Sequence, residues 1–306
     1  MQGLLVVDAT RYVPGAFASA ELLRLGARVI RLEQPGGDPM RATAPEWHDM
    51  LNAGKESVVC DLPADAAFAQ ALLARADVVL ESFRPGVAAR LGIGPEDAPE
   101  RTVYCSITGF GVGGEHQRRA GHDLNYVGWA GVLGDAVPTV QVADLAAGAL
   151  GAVTEILAAL LERERTGVGA RIVVSMTHRA HRLASGSVVL AGGHACYRMY
   201  ATSDDRHVTV GALEPKFFSR LCELLGRPEL AEDQYAHDQK PLVRALSEVF
   251  ATDTLAHWLD VFADEDVCVG PVSTLAEAAE AFGTPSAGRA PVLGEHTDAW
   301  MQETGL

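Results

Sequence analysis

Three short segments of this chain carry side chains able to move protons or attack a carbonyl carbon. In Gly121-His122-Asp123-Leu124-Asn125-Tyr126, a histidine, an aspartate and a tyrosine fall just after a glycine-rich run. Histidine is the side chain best suited to proton transfer near neutral pH, although a His beside an Asp is more often a hydrogen-bonded core residue. In Val142-Ala143-Asp144-Leu145 a strand-like run ends and a long helix opens, so Asp144 also suits an N-cap. Glu214 precedes Pro215 at the start of another helix, where a carboxylate suits the dipole and proline suits the first position. Taken singly, each of these residues is explained by a structural role. Chemistry would need them together.

Two other patterns carry less. Gly109-Phe110-Gly111-Val112-Gly113-Gly114 formally satisfies the dinucleotide-binding spacing after a strand, but Glu115 to Gly121 lacks the apolar periodicity of a helix that would hold a pyrophosphate. A flexible glycine loop is the better reading. His178 and His181 could share a helix face, yet no Cys or carboxylate stands at ligand spacing and Arg179 and Arg182 flank them. We assign them to a solvated face and assign no metal.

The elements that must position these residues follow from periodicity. Short β-like runs at Leu4 to Val7, Arg28 to Leu32, Val58 to Cys60, Val78 to Glu81 and Val103 to Ile107 alternate with helical stretches at Ala16 to Leu25 and Ala66 to Arg75. That alternation predicts βαβ units and a parallel sheet. A long Ala/Leu-rich helix runs from about Leu145 to Arg165 and stops at Gly167. Beyond His194 the pattern changes to a hairpin, Tyr197 to Thr202 and His207 to Ala212 around Asp204-Asp205, followed by helices at Pro215 to Leu225, Pro241 to Phe250 and Leu255 to Phe262. The expected fold is therefore α/β: a large domain with a parallel Rossmann-like sheet over 1–185, a smaller α+β domain over 190–275, and a C-terminal segment over 276–306 that returns to the large domain.

Composition narrows the partners. The 306 residues include 25 Lys and Arg against 40 Asp and Glu, a net charge of −15, which leaves no basic footprint for nucleic acid or an anionic membrane. Five isolated cysteines, with no paired spacing and no basic leader before the first strand, read as buried hydrophobes in a reducing, cytoplasmic setting. The longest apolar run, Leu145 to Thr154, is cut by Glu155 and reads as too short to span a bilayer.

Several segments together resemble the class III CoA-transferase superfamily, and within it the α-methylacyl-CoA racemase branch. They are Asp8 with Val13-Pro14-Gly15, Leu25-Gly26-Ala27, Gly37-Asp38-Pro39, Asp61-Leu62, Phe83-Arg84-Pro85-Gly86-Val87, Thr108-Gly109-Phe110-Gly111 and Gly294-Glu295-His296-Thr297. The segment from Gly121 to Tyr126 is similar to the racemase form, Asp144 falls where both branches carry their catalytic aspartate, and Leu213-Glu214-Pro215 is similar to the segment bearing the racemase glutamate.

The resemblance implies inversion at a 2-substituted, often 2-methyl, acyl thioester by two opposed acid/base groups. His122, oriented by Glu214, would serve one face and Asp144 the other, while backbone N–H groups of the glycine loop or of the helix after Asp144 would hold the enolate oxygen. It implies CoA as part of the substrate and no further cofactor, with Arg84, Asp61, Leu62, Tyr126, Gly109 and Gly111 as the residues binding it. It also implies an interlocked homodimer. The runner-up activity is CoA transfer, in which Asp144 attacks the thioester and passes through an aspartyl-CoA thioester; a non-catalytic acyl-thioester-binding paralogue is the third reading. Three departures stand out: a short spacing from His122 to Asp144, a segment missing near 185–192, and Val174, Ser175, Met176 and Gln34 in place of the usual charged residues. They predict a more open acyl end, suited to a bulky or carrier-tethered acyl chain.

Overall fold

The computed structural model describes residues 1–134, 136–184, 186, 189–284 and 288–306. The chain divides into two compact units, one formed by Met1–Ala184 with Ser286–Leu306 and the other by Ser185–Pro285.

The first unit is built on six strands, β1 (Leu5–Asp8), β2 (Arg28–Glu33), β3 (Glu56–Val59), β4 (Val78–Glu81), β5 (Val103–Thr108) and β6 (Arg171–Ser175), in the order β3-β2-β1-β4-β5-β6. All five neighbouring pairs are parallel. The sequence pattern gives no strand at β6, because Arg171-Ile172-Val173-Val174-Ser175 is a short edge strand with two exposed positions and little apolar continuity. Strand order reverses between β1 and β4, so the crevice beyond their carboxyl ends is the natural ligand position in this topology.

Both sheet faces are covered. One packs Val6, Val29, Leu80, Cys105 and Ile107 under the helices Tyr12–Arg24, Asp123–Ala130, Val142–Thr166 and Met176–Leu183; the other packs Ile30, Val58, Val79 and Tyr104 under Ala66–Arg75 and Trp300. The first helix begins at Tyr12 rather than at Ala16, running through Pro14, which a first turn tolerates because an N–H there has no intrahelical partner and proline's lack of one costs nothing.

The helix Val142–Thr166 corrects the membrane argument. It continues past Glu155 for 25 residues, and an 18-residue window within it, of mean hydropathy 1.7, meets the length and composition of a membrane span. Here it is a core helix: Ala143, Ala147, Ala149, Ala152 and Ile156 are buried, and Glu155 is accommodated by an ion pair with Arg179. Its first stretch, Val142–Leu150, is wound as a wide π-helix before the regular turns of Gly151–Thr166. Such widening is rare and concentrates at functional sites.

The second unit holds an antiparallel sheet of β7 (Tyr197–Ala201), β8 (His207–Gly211) and β9 (Val269–Pro271). Helices Pro215–Leu224, Lys240–Phe250 and Leu255–Phe262 bury Phe218, Phe250 and Trp258 against it. β9 follows the helices, so the sheet has a strand that a hairpin reading does not include.

At the carboxyl ends of β1 and β2 lies a buried ionic network. Asp8 accepts hydrogen bonds from the Thr10 N–H (2.9 Å), the Thr10 hydroxyl (2.6 Å) and Arg31 Nη1 (2.8 Å), with Lys55 Nζ 3.7 Å away. Arg31, 1% exposed, reaches Asp38 with its other Nη at 2.5 Å. Burial raises the Asp8 carboxyl, but Arg31 and Lys55 outweigh it and hold the group well below the usual carboxylate range. Removing one partner from such a network strands the others. Arg31→Ala is expected to destabilise the protein by about 3–5 kcal/mol, because Asp38 would remain buried without its cation and Asp8 with Lys55 alone; a urea-unfolding midpoint equal to that of the parent would contradict this.

Candidate active site

A cavity of about 560 Å³ opens in the first unit beyond the sheet's switch point, among the loops that follow β1, β4 and β5. Its lining includes Tyr12, Phe83, Arg84, Gly109, His122, Tyr126 and Asp144. The structure thus brings together five of the nine residues singled out from the sequence: His122, Asp144, Arg84, Tyr126 and Gly109.

Each is placed by a local reason. His122 is the N-cap of the helix Asp123–Ala130, extended at φ −128° and ψ 178°, and its backbone N–H donates to Asn125 Oδ1 at 3.0 Å. The imidazole is exposed and meets the Tyr12 ring edge-on, with centroids 6.1 Å apart. Asp144 is not an N-cap: Gln141 holds that position, and Asp144 sits in the first turn of the wide helix. Its N–H donates to Asp123 Oδ1 at 2.8 Å, which ties the His122 helix to the Asp144 helix. That bond also withdraws the Asp144 N–H from any role toward an enolate oxygen and leaves the backbone at Gly109 and Phe110 as the lining main chain after β5.

Tyr126 is wedged between two glycines. A Cβ on Gly109 would lie 2.5 Å from the tyrosine ring and one on Gly121 would lie 2.8 Å from it, so neither position admits a side chain without moving the ring. The Tyr126 hydroxyl donates to the Gly121 carbonyl at 2.5 Å. Burial, then the Asp144 charge, push this phenol up to about 12, with Arg84 opposing.

Asp144 itself is pushed up to about 7, first by burial and then by the neighbouring Asp123 carboxylate. A carboxyl at that value exchanges its proton near neutral pH. Three arginines line the same cavity. Arg11 donates to Gln34 Oε1 (2.5 Å), Arg119 donates to His116 Nδ1 (3.0 Å), and the Arg84 side chain makes no hydrogen bond or ion pair among the described residues. Among the described residues none of the three is paired with a carboxylate, so a cationic cavity sits in an acidic protein.

The remaining sequence candidates lie elsewhere. Leu62 lines a smaller adjoining cavity of about 30 Å³, which shares Arg11 and Phe83 with the large one. Asp61 lines neither, and its N–H is taken by Asp65 Oδ2 at 2.9 Å. Gly111, at φ +82°, gives its N–H to Thr108 Oγ1 (3.0 Å) and lies against Ser175: it shapes the turn after β5 and does not line the cavity. No helix follows that glycine run until Asp123, in agreement with a loop. Glu214 belongs to the second unit, exposed at the N-cap of Pro215–Leu224. His178 and His181 are exposed on their helix, and each Nδ1 is engaged, by Ser175 Oγ at 2.7 Å and by the Ala130 carbonyl at 2.8 Å. Of residues 185–192, where the sequence is short, 185, 187 and 188 lie outside the described residues.

Sequence reasoning did not single out Tyr12, Arg11 or Arg119, nor did it give Asp123 its role as the clasp on Asp144. Only the strand order could have found the first two, since both follow β1 at the reversal point.

The first unit is thus a doubly wound sheet whose switch-point cavity is lined by His122, Asp144 and three arginines. The chain belongs to CoA-transferase family III, whose model matches residues 1–289. It is 33% identical to the human α-methylacyl-CoA racemase across 100% of this chain and 94% of that protein. It is also 34% identical to the acetyl-CoA:oxalate CoA-transferase of Acetobacter aceti, over 90% of this chain and 82% of that one. Among solved structures, the hypothetical protein Rv3272 from Mycobacterium tuberculosis matches with a TM-score of 0.85 at 29% identity, covering 98% of each chain.

The raised Asp144 has a measurable consequence for stability. A group that binds its proton more tightly when folded contributes stability below its unfolded value, and that contribution is lost as pH rises toward the folded value of about 7. Asp144→Asn removes the charged form altogether, so the variant should gain on the order of 2 kcal/mol over the parent at pH 8 and almost nothing near pH 4. Denaturant titrations at the two pH values check this; an equal difference at both would refute the assignment.

Proposed function

We propose that this protein inverts the configuration of a 2-substituted acyl thioester by moving the α-proton between His122 and Asp144. The observation that carries the reading is that both groups line one cavity, with the carboxyl of Asp144 raised to about 7. Inversion removes a proton from one face and returns one to the other, which needs two groups that both exchange protons near the working pH. A carboxyl at that value serves as acid or base. A nucleophilic carboxylate would be favoured by a lower value, which disfavours the transferase reading of the same aspartate.

In this reading the substrate's α-carbon lies between His122 and Asp144, and the thioester oxygen meets backbone N–H groups at Gly109 and Phe110. Arg84, with Arg11 and Arg119, attracts the phosphates of CoA. Glu214 enters as the group orienting His122, a role taken from the family resemblance. From the same source come a homodimer and no cofactor beyond the CoA of the substrate; the isolated cysteines suggest a cytoplasmic setting, and the departures from the family pattern an acyl end that takes a bulky or carrier-linked chain.

Incubation with a 2-methylacyl-CoA in heavy water tests the reaction. Loss of the α-proton signal without an acceptor acid is expected; acyl exchange only after adding a free acid would assign a transferase, and neither result would leave a binding protein. Asp144→Asn and His122→Ala should each abolish inversion, at least about a hundredfold, while differing in which enantiomer still exchanges its proton. Full activity in both would eliminate the two-base assignment.

Arg84→Ala should weaken acyl-CoA binding by about tenfold with a smaller effect on turnover, because its contact is made equally to the ground state and the transition state. Calorimetry with acyl-CoA measures it, and unchanged affinity would make Arg84 a surface residue only.

A further inference from the structure

Tyr12 stands in a conformation that its residue type does not favour. Its φ is +63°, in the left-handed region that glycine adopts freely and bulky side chains rarely take. The residue is 45% exposed, so core packing does not account for keeping an aromatic side chain there. Strain of this kind persists only where the surroundings over-determine it.

The surroundings here do so. The Tyr12 N–H donates to Asp38 Oδ2 at 3.1 Å, and that same oxygen receives Arg31 Nη2 at 2.5 Å from the buried network. The preceding N–H, of Arg11, donates to Ser82 Oγ at 2.9 Å, fastening the loop after β1 to the loop after β4. What this fixed backbone presents to the cavity is a ring standing perpendicular to His122, with an interplanar angle of 89°. His122 is itself an exposed side chain at a helix N-cap, where an imidazole otherwise changes rotamer on the nanosecond scale.

We propose that Tyr12 is a positioning residue, whose clamped and strained backbone holds its ring against the His122 imidazole and confines that imidazole to one orientation over the cavity. The buried charges of the network thereby act on the site at one remove: they do not touch the ligand but fix the residue that orients the base. The kinetic side of this inference rests on the racemase reading; the geometric side does not.

Two variants separate the ring from the hydroxyl and from the strain. Tyr12→Phe keeps the ring, and Tyr12→Gly removes it while accepting the backbone conformation, so both are expected to fold. In proton NMR the His122 ring resonances, assigned by their loss in His122→Ala, should carry a ring-current shift in the parent and in Tyr12→Phe and lose it in Tyr12→Gly. With a 2-methylacyl-CoA, Tyr12→Gly should lower kcat by about tenfold with KM changed less than about twofold, and Tyr12→Phe should restore kcat. Unmoved His122 resonances in Tyr12→Gly, a kcat equal to the parent's, or a Phe variant as poor as Gly would each overturn the proposal. If the parent exchanges no α-proton, the racemase reading fails, and the NMR comparison still decides whether Tyr12 orients His122.

Discussion

The hydrogen bond from the Asp144 N–H to the Asp123 carboxylate, 2.8 Å long, is the contact on which the site depends. It joins the start of one helix to the start of another and so sets the distance between His122, which caps the first, and Asp144, in the opening turn of the second. The same carboxylate acts electrostatically. Standing beside Asp144, it adds to burial in raising the second acid, so geometry and proton affinity are tuned by one side chain.

Around that clasp the glycines and the tyrosine have a packing logic. Tyr126 fills the space that side chains at Gly109 and Gly121 would need, which locks the loop after β5 to the His122 helix. The wide winding of Val142–Leu150 then lets Asp144 stand at the cavity while Ala143 and Ala147 stay fully in the core. A regular helix would rotate these positions differently, by 100° per residue rather than about 80°.

Charge is distributed with the same economy. The protein is strongly acidic, yet among the described residues the arginines at the cavity have neutral partners or none, whereas Arg31 and Lys55 hold Asp8 and Asp38 in the interior. An anionic ligand therefore meets a local positive field that the net charge of −15 conceals.

Much of the fold was legible in the sequence because buried parallel strands are short apolar runs, and β1, β2, β3, β4 and β5 each show one. The edge strand β6 was not, since half-exposed residues leave no such signal. The sequence also names several residues that the structure gathers at one cavity: His122, Asp144, Arg84, Tyr126 and Gly109. Local sequence could not decide that Asp144 lies inside its helix rather than capping it, because winding depends on what the helix packs against. Nor could it decide that Gly111 serves a turn, that Asp61 gives its N–H to Asp65, or that Tyr12 takes a left-handed backbone beside His122. Those facts come from strand order, which brings the loops after β1, β4 and β5 to one crevice, and from burial, which shifts proton affinities by removing water. Residue identity supplies the chemical groups; only the packed sheet supplies their distances and their solvent.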